Sequence, residues 1–404
     1  MERGFPPPRA EPSCKRALRG SPLRRAFSKL RSLSSLRQGK TPWLVGVFLA
    51  AAISAAQYGP TLAEPFEYGD RSQNRSDTAL MLGRLRGGLG PSDMFGAWPA
   101  QVYWRPVTML WHVAEYSLWG ERPFFSRLTG LLLHIGVLTL IMVVVWKASR
   151  SRAAALVAML AYAVLGEHGT AVVWICARAE LLCALFYLAA IAAFLSAGKG
   201  WLWSLPFAAL ALGAKEMAVS LPLVASAWAI ALRRRDRLIA AACLWALLAA
   251  YILLRFKILG LVVAGTGHSM SWRSSLTMYS SFIADPVVAL LQAPRAFPFD
   301  LSLVAYPPFW VFVLRETVFW FAVYVLVRRC AGPAAAFFLW KAIAYLPVIR
   351  YVTDLETAWH YLYLPDIGNS MLLGLVAATL WDFARGKSGR RIWSEEGLAR
   401  SGKG

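Results

Sequence analysis

Long apolar runs recur through this sequence, and they limit what it can fold into. From Thr41 to Ala63 there is no Asp, Glu, Lys or Arg, a stretch long enough to cross a hydrocarbon core of about 30 Å as a helix. Leu128–Trp146 is again free of acidic and basic residues, and apolar runs follow at 153–166, 170–196, 201–214, 217–232, 238–254, 309–327, 333–349 and 364–381. The pattern predicts an all-α integral membrane protein of about ten transmembrane helices, with both termini on one side. Its membrane domain occupies 41–385, with a long first outer loop at 59–124 and an outer segment at 257–308. A helix expected near 275–292, with Asp285-Pro286 in its middle, is placed on the outer membrane surface, because one more span would put Arg328-Arg329 on the wrong side.

Charge tests that layout. The net charge of +21 and a pI of about 10.2 would by themselves suit a nucleic-acid binder. A membrane protein instead confines its basic residues to cytosolic loops. Residues 1–40, the short loops at 147–152, 199, 233–237 and 328–329, and the chain beyond 381 together hold 27 of the 43 Lys/Arg against six of the 22 acids, leaving 16 of each sign elsewhere. The whole excess lies on the expected cytosolic face, so no nucleic-acid partner is needed to explain it. The tail at 1–40, rich in Arg and Ser and poor in acids, has the composition of a transit peptide. A disordered basic cytosolic tail is the simpler reading, and 386–404 is a second one. Asn74-Arg75-Ser76 forms a glycosylation sequon. The five cysteines are scattered without a C-x-x-C pair, which points to neither a disulfide framework nor a zinc site.

The outer side collects all five histidines (His112, His134, His168, His268 and His360) and both signs of charge. Glu67, Asp70, Arg105, Arg178, Glu180, Lys215, Glu216, Asp354 and Glu356 fall there, several inside or at the ends of spans. An ionisable side chain in a span costs a few kcal/mol and usually faces a cavity. Arg178 and Glu180 are expected two to three turns into their span, and Lys215-Glu216 at the tip of a hairpin. Mutual neutralisation between helices would account for each pair singly. Collectively they supply what transfer from a lipid-linked donor needs, namely cations for a phosphate and a carboxylate to take the proton of an attacking hydroxyl. A transporter with a midplane ion site would use the same residues. The stretch 103–120 reads as an interfacial helix with Trp104, Trp111, Tyr116 and Trp119 in the headgroup belt. His112 and Glu115 stand one turn apart, a spacing open to a metal but more often incidental.

Four segments resemble one family. "YWRPVTMLWHVAEYSLWGERPFFSRLTGLLLH" (103–134), "EHGTAVVWICARAELLCALF" (167–186), "LGAKEMAVSLPL" (212–223) and "HYLYLPDIG" (360–368) are similar to motifs of the GT-C-type glycosyltransferases. The likeness is to the membrane half of the transmembrane and tetratricopeptide-repeat O-mannosyltransferases and their bacterial relatives. Order and spacing agree over roughly 42–385, and no tetratricopeptide array follows the last span. The resemblance implies a polyprenyl-phosphate sugar as donor, used on the extracytoplasmic side of a bacterial inner membrane or the endoplasmic reticulum. It implies Asp70 as catalytic acid or base, with Glu67 beside it. Arg105, Arg178, Lys215, His168 and His360 would bind the donor phosphate, supported by Glu180, Glu216, His134 and Tyr363. No cofactor is expected, and the partners are the lipid-linked sugar, membrane lipids and an acceptor hydroxyl.

The sequence departs from the family in four places. "FEYGD" (66–70) has Gly69-Asp70 where relatives carry an acidic pair, which leaves room for a catalytically altered member. Leu165-Gly166 replaces a His-Pro. Trp359-His360 replaces a Glu-Arg, so a pH-dependent donor stands where an arginine would grip phosphate. The missing repeat array means that acceptor recognition differs or is supplied by another protein. A flippase for lipid-linked sugars and a non-catalytic scaffold are the competing functions. The topology predicts that a cysteine replacing Gly267 is labelled by an impermeant maleimide from outside intact membranes, and that one replacing Arg235 is labelled only after permeabilisation.

Overall fold

The computed structural model describes residues 41–64, 87, 104–164, 169–259, 331–349 and 360–384, and every regular element among them is helical. Contacts divide the chain into two units, Met1–Phe48 and Leu49–Gly404. Of the first, only the opening turns of helix α1 (Thr41–Ala63) are described, with Leu44 and Phe48 exposed. The rest of α1 belongs to the second unit and tightens to a 3-10 turn at Gly59–Ala63, where Pro60 has no N–H to donate.

The second unit continues through α2 (Pro106–Trp119), α3 (Pro123–Ser149), α4 (Arg152–Val164) and a short α5 (Gly169–Val173). After these come α6 (Arg178–Phe194), α7 (Ser204–Ala214), α8 (Leu221–Ala231) and α9 (Leu238–Leu259). The last two are α10 (Ala331–Val348) and α11 (Ile367–Ala384). Six of the described helical segments are long and apolar enough to cross a membrane: Thr41–Ala63, Pro123–Ser149, Ile175–Phe194, Arg235–Leu259, Ala331–Val348 and Ile367–Ala384. Arg152–Val164 and Glu216–Ala231 are shorter apolar helices. The ten-span layout is therefore seen in part, since α7 has only 11 residues and 309–327 lies outside the described residues, as does the helix expected at 275–292.

Two expectations change. The run 170–196 is not one helix: Trp174 leaves helical geometry (φ −75°, ψ 116°), and a 3-10 turn at Ile175–Ala177 precedes α6. Arg178 and Glu180 thus sit in the first turn of a new helix rather than deep in an old one. The apolar sequence gives no hint of the break, because the residues around it suit lipid in either conformation. The second change concerns Trp104. It is buried, with its ring 5.8 Å from that of Tyr251 and nearly parallel to it, so it does not join the headgroup belt.

Burial follows the logic of a lipid-facing protein. Ile230, Ile239, Leu253 and Phe383 are more than 60% exposed, while Arg127, Arg178, His134, Lys341 and Asp366 are enclosed. Water would penalise such outward apolar surface, whereas hydrocarbon tolerates it. Helix α2 shows the inversion most clearly. Its buried positions are Thr108, His112 and Glu115, which share one face at helical spacing, while Leu110 and Leu118 are turned outward.

With little hydrophobic driving force between helices in lipid, close backbone approach takes over. Helices α4 and α11 meet through small residues: a Cβ added at Gly374 would collide with the Ala154 carbonyl and come within 2.9 Å of the Ala158 methyl. The helices run in alternating directions. Lys147 near the end of α3 donates from Nζ to Ser196 Oγ after α6 (2.7 Å), and Arg237 before α9 donates to the Ser196 and Gly198 carbonyls. The opposite ends of α7 and α9 bring Glu216 and Arg255 together.

Replacing Gly374 with valine should therefore destabilise the α4–α11 contact by about 1–3 kcal/mol, the usual cost of overpacking. Thermal unfolding in detergent would register it, while Leu118→Ala on the outward face should leave the midpoint nearly unchanged.

Candidate functional site

Three ion pairs gather around the start of α2 and the tip between α7 and α8. Lys215 is fully extended (φ −158°, ψ 149°) where α7 stops, and Glu216 begins the 3-10 turn Glu216–Ser220. Helix α2 is seated on this tip. Thr108 Oγ1 donates to the Ala214 carbonyl at 2.9 Å, and Gly213 has no side chain where Val107 presses in. That docking aligns Arg105, just before α2, with Glu216. Arg105 donates from Nε and Nη2 to one carboxylate oxygen at 2.9 and 2.7 Å. Arg255, near the end of α9, donates from Nη1 to the other at 3.2 Å. The same Nη1 lies 3.4 Å from the Tyr251 hydroxyl. Glu216 is thus held by two guanidinium groups, of which Arg105 is a quarter exposed (26%) and Arg255 nearly enclosed (4%).

Deeper in, Lys215 forms an ion pair with Glu180 of α6, and its ammonium lies 4.5 Å from the centre of the Tyr361 ring, a cation–π arrangement. Arg178 has no exposed surface. Its Nε lies 3.1 Å from Glu115 Oε1, and its Nη2 donates to the Ser126 carbonyl at 2.6 Å. Trp111 donates its indole N–H to the same Glu115 oxygen at 2.7 Å. A glycine is required opposite the guanidinium, because a Cβ at Gly130 would overlap Arg178 Nη1. His112 is buried on the same face of α2. Burial, and after it the Arg178 charge, lowers its pKa from 6.5 to about 3, so the imidazole is neutral at physiological pH. With Glu115 engaged by Arg178 and Trp111, the His112–Glu115 pair belongs to this charge network.

A separate aromatic group lies among α1, α3, α4 and the segment before α11. His134 Nδ1 is 2.7 Å from the Tyr363 hydroxyl, and Tyr162 donates its hydroxyl to the Tyr363 carbonyl. Tyr58 meets His134 edge-on at 5.7 Å. His360 lies edge-on to Trp174 at 5.6 Å and tilted against Tyr361 at 4.1 Å, whose ring also lies beside Lys215.

The structure therefore brings Arg105, Glu216, Lys215, Glu180 and Arg178 into one neighbourhood, with His360 linked to Lys215 through Tyr361. His134 and Tyr363 pair with each other instead. Asp70, Glu67 and His168 lie outside the described residues, as do His268, Asp354 and Glu356. Two members of the cluster were not singled out as site residues from sequence. Arg255 sits at the end of an apolar run where a basic residue reads as a boundary marker, and Glu115 reads as a neighbour of His112. Among the described residues four cations, Arg105, Arg178, Lys215 and Arg255, pair with the three carboxylates Glu115, Glu180 and Glu216. The most accessible of these groups is the trio of Arg105, Glu216 and Arg255, in which two guanidinium groups share one carboxylate.

Among the described residues no group of three or more His, Cys, Asp or Glu is placed to hold a metal ion. The described cysteines Cys176, Cys183 and Cys243 are not in disulfides. Comparison with protein-family models, with curated proteins and with solved structures gave no match to this chain.

Glu115→Gln should strand the enclosed Arg178 charge and cost about 3–5 kcal/mol, the range for breaking one half of a buried pair. The double variant Glu115→Gln/Arg178→Met should recover much of that loss. A thermal-unfolding double-mutant cycle measures the coupling, and additive losses would mean that the pair is not formed.

Proposed function

We propose that this protein is a membrane glycosyltransferase that moves a sugar from a polyprenyl-phosphate donor to an acceptor hydroxyl on the extracytoplasmic side. The observation that supports the reading is the meeting of two guanidinium groups, Arg105 and Arg255, on the single carboxylate of Glu216, with Arg105 a quarter exposed at its edge. Arg105 and Glu216 are 111 residues apart in sequence, and both belong to segments on which the glycosyltransferase resemblance rests.

In this reading Arg105 meets the donor phosphate first. A guanidinium can turn its planar fork from a carboxylate to a phosphate with no change in donor geometry. Glu216 would then keep its charge partner in Arg255. Lys215 and Arg178 lie behind this contact, each with its own carboxylate, and hold the tip at 215–216 and α2 in place for it. Asp70 is the proposed base. It takes the acceptor hydroxyl's proton as that oxygen attacks the anomeric carbon, and the bond from that carbon to the phosphate oxygen breaks. The departing polyprenyl phosphate carries the electron pair and is stabilised by the same cations that bound the donor.

A second reading, a transporter of lipid-linked sugars, draws on the interruption between α5 and α6. Broken helices with charged residues at the break are a recurring device of transporters, and Arg178 and Glu180 stand there. The two readings differ in product. Purified protein given a panel of polyprenyl-phosphate sugars should consume one donor and release polyprenyl phosphate. Asp70→Asn should abolish turnover with donor binding largely intact, whereas Arg105→Gln should weaken donor binding about tenfold or more. Movement of labelled lipid between leaflets without any glycosylated product, and full activity in Asp70→Asn, would each count against the enzyme.

A further inference from the structure

The end of the bundle opposite the ion-pair cluster carries a second convergence of charge that the proposed transfer does not use. Lys147, in the last turn of α3, is partly buried. Its ammonium donates to Ser196 Oγ at 2.7 Å, and that hydroxyl in turn donates to the Ala192 carbonyl. Arg237 comes from the other side of the same turn and donates to the Ser196 and Gly198 carbonyls. Among the described residues, Arg150 and Arg237 are the charged neighbours that act on Lys147. The acid beside Arg237 is Asp236, which is 55% exposed and shared with Arg234.

Two features set this apart from a scatter of loop lysines. Two cations from separate parts of the chain, Lys147 at the end of α3 and Arg237 just before α9, converge on one turn at 195–198, and Arg150 closes α3 beside Lys147. They do so just where apolar spans end, which is headgroup depth. The second feature is conformational. Among the described residues two non-glycine positions have left-handed backbone, Arg150 (φ 55°) and Arg233 (φ 52°), and both are arginines at this end. Glycine or asparagine normally fills such helix-terminating positions because other residues strain there. Arg150 closes α3 through its N–H to the Trp146 carbonyl and lies over the Trp146 ring at 5.6 Å, so its guanidinium stays at the membrane boundary beside Lys147.

We propose that Lys147, Arg150 and Arg237 form a binding site for the phosphate of an anionic phospholipid in the leaflet at this end of the bundle. The chemistry recognised is a phosphate anion, and the lipid is its source: Leu238 and Ile239, which follow Arg237 at the start of α9, expose apolar surface along which acyl chains would run. Basic residues at this depth attract anionic headgroups individually. Here the Ser196 turn holds two of them in place before the lipid arrives, so less ordering is lost on binding.

Native mass spectrometry of the full chain, released from detergent with added phosphatidylglycerol or phosphatidylcholine, tests the site. The wild type should retain one phosphatidylglycerol in preference to phosphatidylcholine. Lys147→Gln should weaken that retention about fivefold, the factor for one basic contact with an anionic headgroup. Lys147→Arg should restore it, and Arg152→Gln, an exposed charge nearby, should not change it. Thermal unfolding of each variant in detergent without added lipid checks that the fold is intact. Equal loss in Arg152→Gln and Lys147→Gln would show diffuse attraction and overturn the site. So would equal retention of the two lipids, and so would displacement by inorganic phosphate at matched concentration, which would place the ligand in solution.

Discussion

A guanidinium with no exposed surface, that of Arg178, imposes more on this protein than any other group. A charge taken out of water has to be met by an opposite charge and by hydrogen bonds, and three helices are arranged to meet it. Helix α2 supplies Glu115, steadied by Trp111. Helix α3 supplies the Ser126 carbonyl and leaves Gly130 bare to make room. The break after Trp174 places Arg178 at the start of α6, where it can reach both. The inward polar face of α2 follows from this, since a helix that carries the counter-charge must turn it towards the bundle and give its leucines to lipid. Once α2 is fixed, Arg105 at its start faces Glu216, and the trio with Arg255 assembles beside it.

Much of the fold was legible because hydrocarbon imposes a simple length and charge criterion. Thr41–Ala63 and the helices containing 128–146 and 238–254 are where the apolar runs put them, and α11 begins three residues into the run 364–381. The break between α5 and α6 was not legible, because a periodicity argument needs contrast and residues 169–177 offer none: glycine, threonine and a cysteine apart, they are uniformly apolar. Trp104 misled for a related reason. An aromatic residue near a proposed membrane boundary suits the headgroup belt and a stacking partner equally well, and only Tyr251, 147 positions later, decides between them.

The candidate site was legible by residue type and not by pairing. Glu180, Lys215, Glu216, Arg105 and Arg178 are unusual in apolar surroundings, which marks each of them. Sequence adjacency would join Lys215 to Glu216 and Arg178 to Glu180, yet each of these four finds its ion-pair partner on another element. Neighbours in sequence at a helix end point in different directions, so the side chains are crossed between helices and tie the tip at 215–216 to α2, α6 and α9. Arg255 escaped because a lone arginine at the end of an apolar run looks like an orientation signal, and the enclosed side chain has a second part in that position.

Helix α4 has 13 residues, about 20 Å at 1.5 Å per residue, against a hydrocarbon layer of about 30 Å. Gly374 locks it against α11, so it cannot correct the difference by shifting along its partner. A bilayer that met only this described stretch would thin towards it, drawing headgroups and water inward by several ångströms. Under the proposed transfer from a lipid-linked donor, such a dimple would shorten the distance a phosphate must travel to reach an arginine, and the geometry of the surrounding membrane would become part of the binding site.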